Sequence, residues 1–272
     1  MEKSANATTL LKSLTGITSV KLLPSGDSSI FCFLAIAKQL RKKKLLIPDQ
    51  GGWMSYKPIA ALLGFEVIEF KTDQALINPE QIKNPNKECC LIYHNPGGYF
   101  VTQPIERIFE KCRKEKILLC MDISGSIGSR RDLGKWTDFI VGSFGRWKII
   151  NVGYGGFIGS NYYQLNEFKK IFRMFKINFH GLNLEEKLNK AEERYKKLHN
   201  IAKETAKELL KKGFSVVHPN KIGVNVCVLY KDESELKSIK EFCKEKGFEF
   251  VICPFQDRLK EKAVSIEIKR LN

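Results

Sequence analysis

Along the first 160 residues the apolar positions change period repeatedly. The segment "SSIFCFLAIAKQLRK", starting at Ser28, carries its apolar residues at helical spacing, and "KLLIP" at 44–48 follows as a short strand. "SYKPIAALLG" reads as a second helix stopped at Gly64, with the strand "FEVIEF" at 65–70 after it. A strand "CCLIYH" (89–94), a helix from about Gln103 to Lys114, a strand "ILLCMD" (117–122) and a strand "DFIVGSF" (138–144) continue the alternation. Repeated strand and helix units of this size predict an α/β fold built on a mostly parallel sheet, with ligands beyond the carboxyl ends of its strands.

Past Ser160 the texture differs. The stretch 183–212 predicts one long amphipathic helix with Leu184, Leu188, Ala191, Tyr195, Leu198 and Ala202 on a single stripe. A strand "GVNVCVLY", a helix over about 232–246 and the strands "FEFVIC" and "AVSIEI" complete a small α+β unit. The expected organisation is therefore a large domain over 1–180 and a second part over 181–272, the long helix bridging the two.

Composition narrows the class. At 272 residues, 43% hydrophobic, the chain can bury an ordinary core. Its longest apolar run, "IFCFLAIA", is far too short to span a bilayer, and the start lacks a secretory signal pattern, so a cytoplasmic protein away from the membrane is expected. The eight cysteines form no CxxC pair, which predicts buried reduced thiols and no metal site. The net charge of +16 suits a polyanion partner, yet the lysines are interleaved with glutamates along amphipathic helices and no basic-aromatic cluster stands out. A solvated surface is the favoured reading over a nucleic-acid face.

Four segments place special residues where the sheet should open. "LPSGDSSIF" sets Gly26, Asp27, Ser28 and Ser29 at a helix start, where free N–H groups favour a phosphate. "PDQGGWMSY" presents Trp53 in a glycine-flanked loop, available to stack on a flat ligand. "MDISGSIG" ends an apolar strand with Asp122, which needs a partner if buried. "SFGRWKIINVGYGG" gives Ser143 and, five residues on, Lys148 among hydrophobic neighbours, with glycines that allow close approach of a ligand. Taken singly, each has a plainer reading: Asp27 or Ser28 as a helix cap, Trp53 as a core aromatic, Asp122 as a turn former, Lys148 as a surface lysine. Together they match the needs of pyridoxal phosphate, namely a lysine, a carboxylate for the ring nitrogen, an aromatic face and a phosphate cradle.

Over residues 20–160 the chain resembles the DegT/DnrJ/EryC1/StrS aminotransferases, a fold-type I pyridoxal-phosphate family. The pattern Ser-Phe, then Lys, then Gly-x-Gly-Gly is met by Ser143, Phe144, Lys148, Gly153, Gly155 and Gly156 without a gap. "SGDSSIF" resembles that family's phosphate-binding loop, and "LLCMDISGSIGS" its aspartate segment. The resemblance implies a fold-type I transferase-like large domain, with Lys148 as the Schiff-base lysine and proton shuttle and Asp122 on the pyridine nitrogen. It further implies Trp53 stacked on the ring, and Gly26, Ser28, Ser29 and Ser143 around the phosphate. "YHNPGGYF" is similar instead to the Asn-Pro loop of other fold-type I enzymes, which gives Asn95, or His94 in its place, a contact to the cofactor's phenolic oxygen.

Three positions depart from the pattern: Gly125 stands where a Gln or His follows the aspartate, Tyr154 replaces a Glu, and Asp27 replaces a hydroxyl residue. The activity so implied is an aminotransferase taking a small-molecule amino donor and a keto acceptor, a keto-sugar nucleotide among the candidates, in a homodimer. The alternatives are a lyase, an enzyme acting on aminoacyl-tRNA, or a catalytically degenerate protein on the same fold.

Overall fold

A computed structural model describes residues 2–83, 87–255 and 257–271. In chain order the elements are α1 (Glu2–Thr15), β1 (Ser19–Leu23), α2 (Gly26–Gln39), β2 (Lys44–Pro48), α3 (Tyr56–Leu62), β3 (Glu66–Phe70), β4 (Cys89–His94), α4 (Ile105–Glu115), β5 (Leu118–Asp122), β6 (Phe139–Ser143) and β7 (Gly156–Ser160). The remainder comprises α5 (Lys169–Phe172), α6 (Leu184–Asn189), α7 (Ala191–Lys211), β8 (Ser215–Val216), β9 (Val226–Leu229), α8 (Glu233–Glu245), β10 (Phe250–Cys253) and β11 (Ala263–Ile266).

Seven strands form the main sheet in the order β1-β7-β6-β5-β4-β2-β3. The pairings from β3 across to β6 are parallel, and β7 runs antiparallel to both β6 and β1. This is the expected α/β architecture with a mostly parallel sheet. A second, antiparallel sheet has the order β10-β11-β9-β8.

Strands β4 and β5 are buried along their whole length, as the unbroken apolar runs "CCLIYH" and "LLCMD" require of central strands covered on both faces. The register pairs His94 directly with Asp122, so the polar residues ending these two strands emerge side by side. One hydrophobic cluster runs from Leu11 of α1 through Leu91 and Leu119 of the main sheet to Leu188, Leu198 and Val264, on both sides of residue 180. All eight cysteines are buried and unbridged, and burial pushes the Cys32 thiol up to about 12.

Three features differ from expectation. The single helix predicted over 183–212 is broken at Lys190 into α6 and α7. At that break the backbone of Gly128 lies against Ala191, so closely that a Cβ on residue 128 would sit 2.7 Å from the Ala191 carbonyl carbon. The apolar stripe nonetheless stays inward, with Leu184, Leu188, Ala191, Leu198 and Ala202 buried. The terminal helix α1 and the edge strand β1 were not anticipated, because "SVKLL" is too short and too mixed to signal a strand. Nor was β7: its sequence, "GFIGS", reads as the tail of a glycine loop, whereas its glycines serve packing. A Cβ on Gly156 would lie 2.6 Å from the carbonyl oxygens of Ser25 and Gly142, and one on Gly159 2.1 Å from Ile17.

Candidate active site

The carboxyl ends of β5 and β6, the start of α2 and the loops after β2 and β6 converge on a cavity of about 110 Å³. Its walls are Ser25, Gly26, Asp27, Ile30, Trp53, Tyr99, Asp122, Ser124, Ser143 and Lys148.

Lys148 reaches it from the β6–β7 loop, an excursion closed at its neck by three backbone bonds: Phe144 N–H to the Gly155 carbonyl, and the N–H groups of Val152 and Gly153 to the Phe144 carbonyl. Gly153 and Gly155 hold φ of +86° and +95°, so glycine is needed at both for the return of this loop. The apolar residues Ile149 and Ile150 that directly follow the lysine are buried, which anchors this part of the loop inward. The Lys148 amine donates to the Tyr99 hydroxyl and lies 4.3 Å from the centroid of the Trp53 ring. Burial lowers its pKa from the ordinary lysine value, with the opposing pull of Asp122 smaller than the loss of water.

Asp122 ends β5 and is 4% exposed. Its Oδ1 accepts from the Ser124 N–H (3.0 Å) and hydroxyl (2.7 Å), and its Oδ2 from the Tyr56 hydroxyl (3.0 Å). Burial, then the Asp122 charge, holds the Tyr56 phenol well above its usual pKa, so it remains a donor. The carboxylate is thus oriented from two sides, with both lone pairs of Oδ1 engaged and one on Oδ2 left for a further donor.

At the start of α2, Ser25 is the cap: its Oγ accepts from the Ser28 N–H at 3.0 Å. Gly26 is pressed against Ser143, where a Cβ would lie 2.7 Å from the Ser143 Cβ. Asp27, offered above as a cap, instead accepts from the Trp53 indole Nε1–H at 2.8 Å and so fixes the aromatic that walls the cavity.

Of the residues singled out in the sequence, Gly26, Trp53, Asp122, Ser143 and Lys148 come together on this one cavity. Ser28 and Ser29 do not line it: Ser28 Oγ lies 2.9 Å from Ser25 Oγ, and Ser29 Oγ bonds back to the Ser25 carbonyl. Asn95 also points elsewhere. Its Oδ1 accepts from the Gln103 N–H and its Nδ2 donates to Ser126, and it borders a separate groove with Tyr195 and Lys221. His94 is buried with no partner at Nε2, stacks edge-on to Tyr99 at 4.3 Å, and is held neutral by burial, its pKa brought down to about 4. Sequence reading missed Ser25, Tyr56, Tyr99 and Ser124. Ser124 was within sight, two residues after Asp122; Tyr99 gave no signal of its own, because only the Gly97-Gly98 turn carries it back over the site.

The donor set fits pyridoxal phosphate. An amine of lowered pKa and an oriented carboxylate share one cavity, an indole forms a wall, and the start of a 14-residue helix meets Ser25 and Ser143 around a glycine too confined for a side chain.

Comparison with known proteins adds the following. Residues 192–272 match the family described as MJ1341 family C-terminal domain. No curated protein matches the sequence. Among solved structures, the chain is similar to a serine palmitoyltransferase from Sphingomonas wittichii (TM-score 0.73, 15% identity, 98% of this chain and 70% of that one). It is similar to a Helicobacter pylori aminotransferase involved in the biosynthesis of pseudoaminic acid (0.73, 15%, 96% and 85%). A DegT DnrJ EryC1 StrS aminotransferase from Brucella abortus is a further match (0.72, 16%, 98% and 84%). The architecture is therefore that of the fold-type I transferases. Among the described residues, no helix is long and apolar enough to cross a membrane.

Proposed function

We propose that this chain is a pyridoxal-phosphate-dependent enzyme, and specifically an aminotransferase moving an amino group from an amino-acid donor to a keto acceptor such as a keto-sugar. The observation that carries the reading is that Lys148 and Asp122, 26 positions apart in sequence, line the same small cavity with Trp53. The similarity to two aminotransferase structures supports it.

In this reading, residues 1–180 hold the cofactor and 181–272 complete the substrate side. Bound there, the cofactor supplies an electron sink that stabilises negative charge on the substrate carbon. Asp122, oriented by Ser124 and Tyr56, holds a proton on the ring nitrogen. Ser25, Gly26 and Ser143 receive the phosphate at the start of α2, where the helix dipole and free N–H groups favour an anion. Trp53, fixed by Asp27, orients the ring and excludes water from one side. Lys148, its pKa lowered by burial, would hold the cofactor and, when free as an amine, would accept and return a proton at the substrate carbon. The reading extends to a cytoplasmic homodimer.

A different reaction on the same cofactor is favoured by the similarity to serine palmitoyltransferase, and the +16 charge favours aminoacyl-tRNA as its substrate. The test is a titration of the purified chain with pyridoxal phosphate, followed by amino donors. A near-visible absorbance band that is absent in Lys148→Ala and discharged by glutamate or glutamine supports the aminotransferase. A band that no amino donor discharges, together with a salt-sensitive tRNA gel shift, moves the assignment to the second reaction.

A further inference from the structure

Tyr99 is held in an unusual place by unusual means. Its φ is +70°, a left-handed conformation that bulky aromatic residues rarely adopt. The backbone is fixed there from both directions. Its N–H donates to the Pro96 carbonyl at 3.0 Å, and its own carbonyl accepts from the N–H groups of Val224 and Asn225 at 2.8 and 3.0 Å.

Its ring is equally confined. His94 meets it edge-on at 4.3 Å, and Lys269 Nζ, Arg258 Cζ and Lys148 Nζ lie 4.5, 4.9 and 4.9 Å from its centroid. On the remaining flank is Gly125, where a Cβ would fall 2.8 Å from Tyr99 Cδ1 and 3.1 Å from Pro96 Cδ. Any larger residue at 125 collides with the ring.

We propose that Tyr99 is a positioning residue for Lys148, its hydroxyl holding the amine inside the cavity, and that residue 125 is glycine to make room for the Tyr99 ring. The inference rests on the reading of Lys148 as the reacting amine. The hydroxyl meets the amine directly, and no other hydrogen-bond partner of that amine is present among the described residues. The buried ion cluster of Arg258, Glu267 and Lys269 packs against the other side of the same ring, so Tyr99 stands between the segment after β10 and the reacting lysine. Burial keeps the phenol protonated far above neutral pH, leaving it a neutral partner throughout the working range.

The sign of a pH shift tests this. The charge of Lys148 is set first by burial and then by Asp122 on β5, Arg258 and Asp257 from the C-terminal segment and Asp27 on α2, with His94 on β4 and Lys269 also facing it. All remain in Tyr99→Phe, which removes only the acceptor oxygen. A hydrogen bond from an ammonium to a neutral oxygen favours the charged form, so its loss should lower the amine's titration midpoint by about one pH unit. The readout is trace acetylation of Lys148 across pH, followed by mass spectrometry, on the full chain after hydroxylamine treatment.

Tyr99→Phe should lower the midpoint below that of the natural chain. An unchanged midpoint overturns the proposal, and so does a rise toward the ordinary lysine value, which means that water has entered and the tyrosine was only a filler. Gly125→Ala should alter the midpoint in the Tyr99 background and leave it unaltered in a Tyr99→Ala background, where the ring is gone. No effect in the first, or an equal effect in both, overturns the role given to Gly125. The assay contains no cofactor, so it stands if pyridoxal phosphate fails to attach to the natural chain, a result that sinks the proposed function alone.

Discussion

Trp53 and Asp27 are tied across the mouth of the cavity, the indole Nε1–H donating to Oδ1 at 2.8 Å from the loop after β2 to the first turn of α2. A hydrogen bond to a charged group contributes about 1.5–3 kcal/mol. In Asp27→Ala the indole N–H of Trp53 should exchange with solvent roughly tenfold faster or more, measured by NMR, with the signals of Trp136 and Trp147 unmoved. Equal exchange in both proteins means that the ring is held by packing alone.

Gly26 has no room for a side chain, because Ser143 stands 2.7 Å from where its Cβ would be. Gly26→Ala should separate the start of α2 from the end of β6 and weaken pyridoxal-phosphate binding by about tenfold or more, a loss of ~1.4 kcal/mol or greater. The same clash should lower Tm by several degrees, on the scale of ~1–3 kcal/mol for overpacking, so binding is compared at a temperature where both proteins are folded. Fluorescence titration checks it.

The lowered pKa of Lys148 makes stability depend on pH with a definite sign. In the window between its folded-state pKa and the ordinary value of 10.5 the unfolded chain binds more protons, so stability rises with pH there, and below the window the deficit is constant. Lys148→Met removes the deficit. It should raise Tm at neutral pH by about 2–4 °C, the scale of ~1 kcal/mol in a chain this size. The advantage should shrink as pH approaches 10.5. A lysine already at ease in its site gives no such gain.

Glu267 sits at the centre of a buried cluster, accepting from Arg258 Nε and Nη2 at 3.0 and 2.9 Å and from Ser265 at 2.8 Å, with Lys269 at 3.2 Å. Burial alone would raise its pKa, but the two cations outweigh that and hold the carboxyl well below the usual range. Removing one member strands the others, so Glu267→Ala should destabilise the fold by ~3–5 kcal/mol. A urea denaturation midpoint measures this, and the expected effect far exceeds that of exposed pairs such as Lys207 with Glu204.

How far this site could be read from sequence follows from how each residue reaches it. Asp122, Ser143, Gly26 and Trp53 lie at or just beyond the ends of elements whose hydrophobic period is plain, so their arrival at the sheet's open edge follows from the parallel topology. Lys148 is legible only through the resemblance of its loop to the Ser-Phe, Lys, Gly-x-Gly-Gly pattern of the aminotransferase family. Asn95 and Ser29 are near the site in sequence, but their side chains are taken by Gln103, Ser126 and the Ser25 carbonyl, and a string of letters does not distinguish which way a side chain turns. Tyr99 and Tyr56 arrive from a left-handed turn and a short helix, and their contacts with Lys148 and Asp122 are purely tertiary. The break at Lys190 was hidden for the same reason, since Gly128 meets Ala191 from 63 residues away (191 − 128) in a chain with no glycine or proline at the break itself.

The most direct test of the account is chemical. The full chain is incubated with pyridoxal phosphate, reduced with borohydride and digested, and the modified peptide is identified by mass spectrometry. The account predicts a single stoichiometric adduct on Lys148, strongly diminished in Asp122→Ala. Labelling scattered over surface lysines, or an adduct at Lys148 indifferent to Asp122, would contradict it.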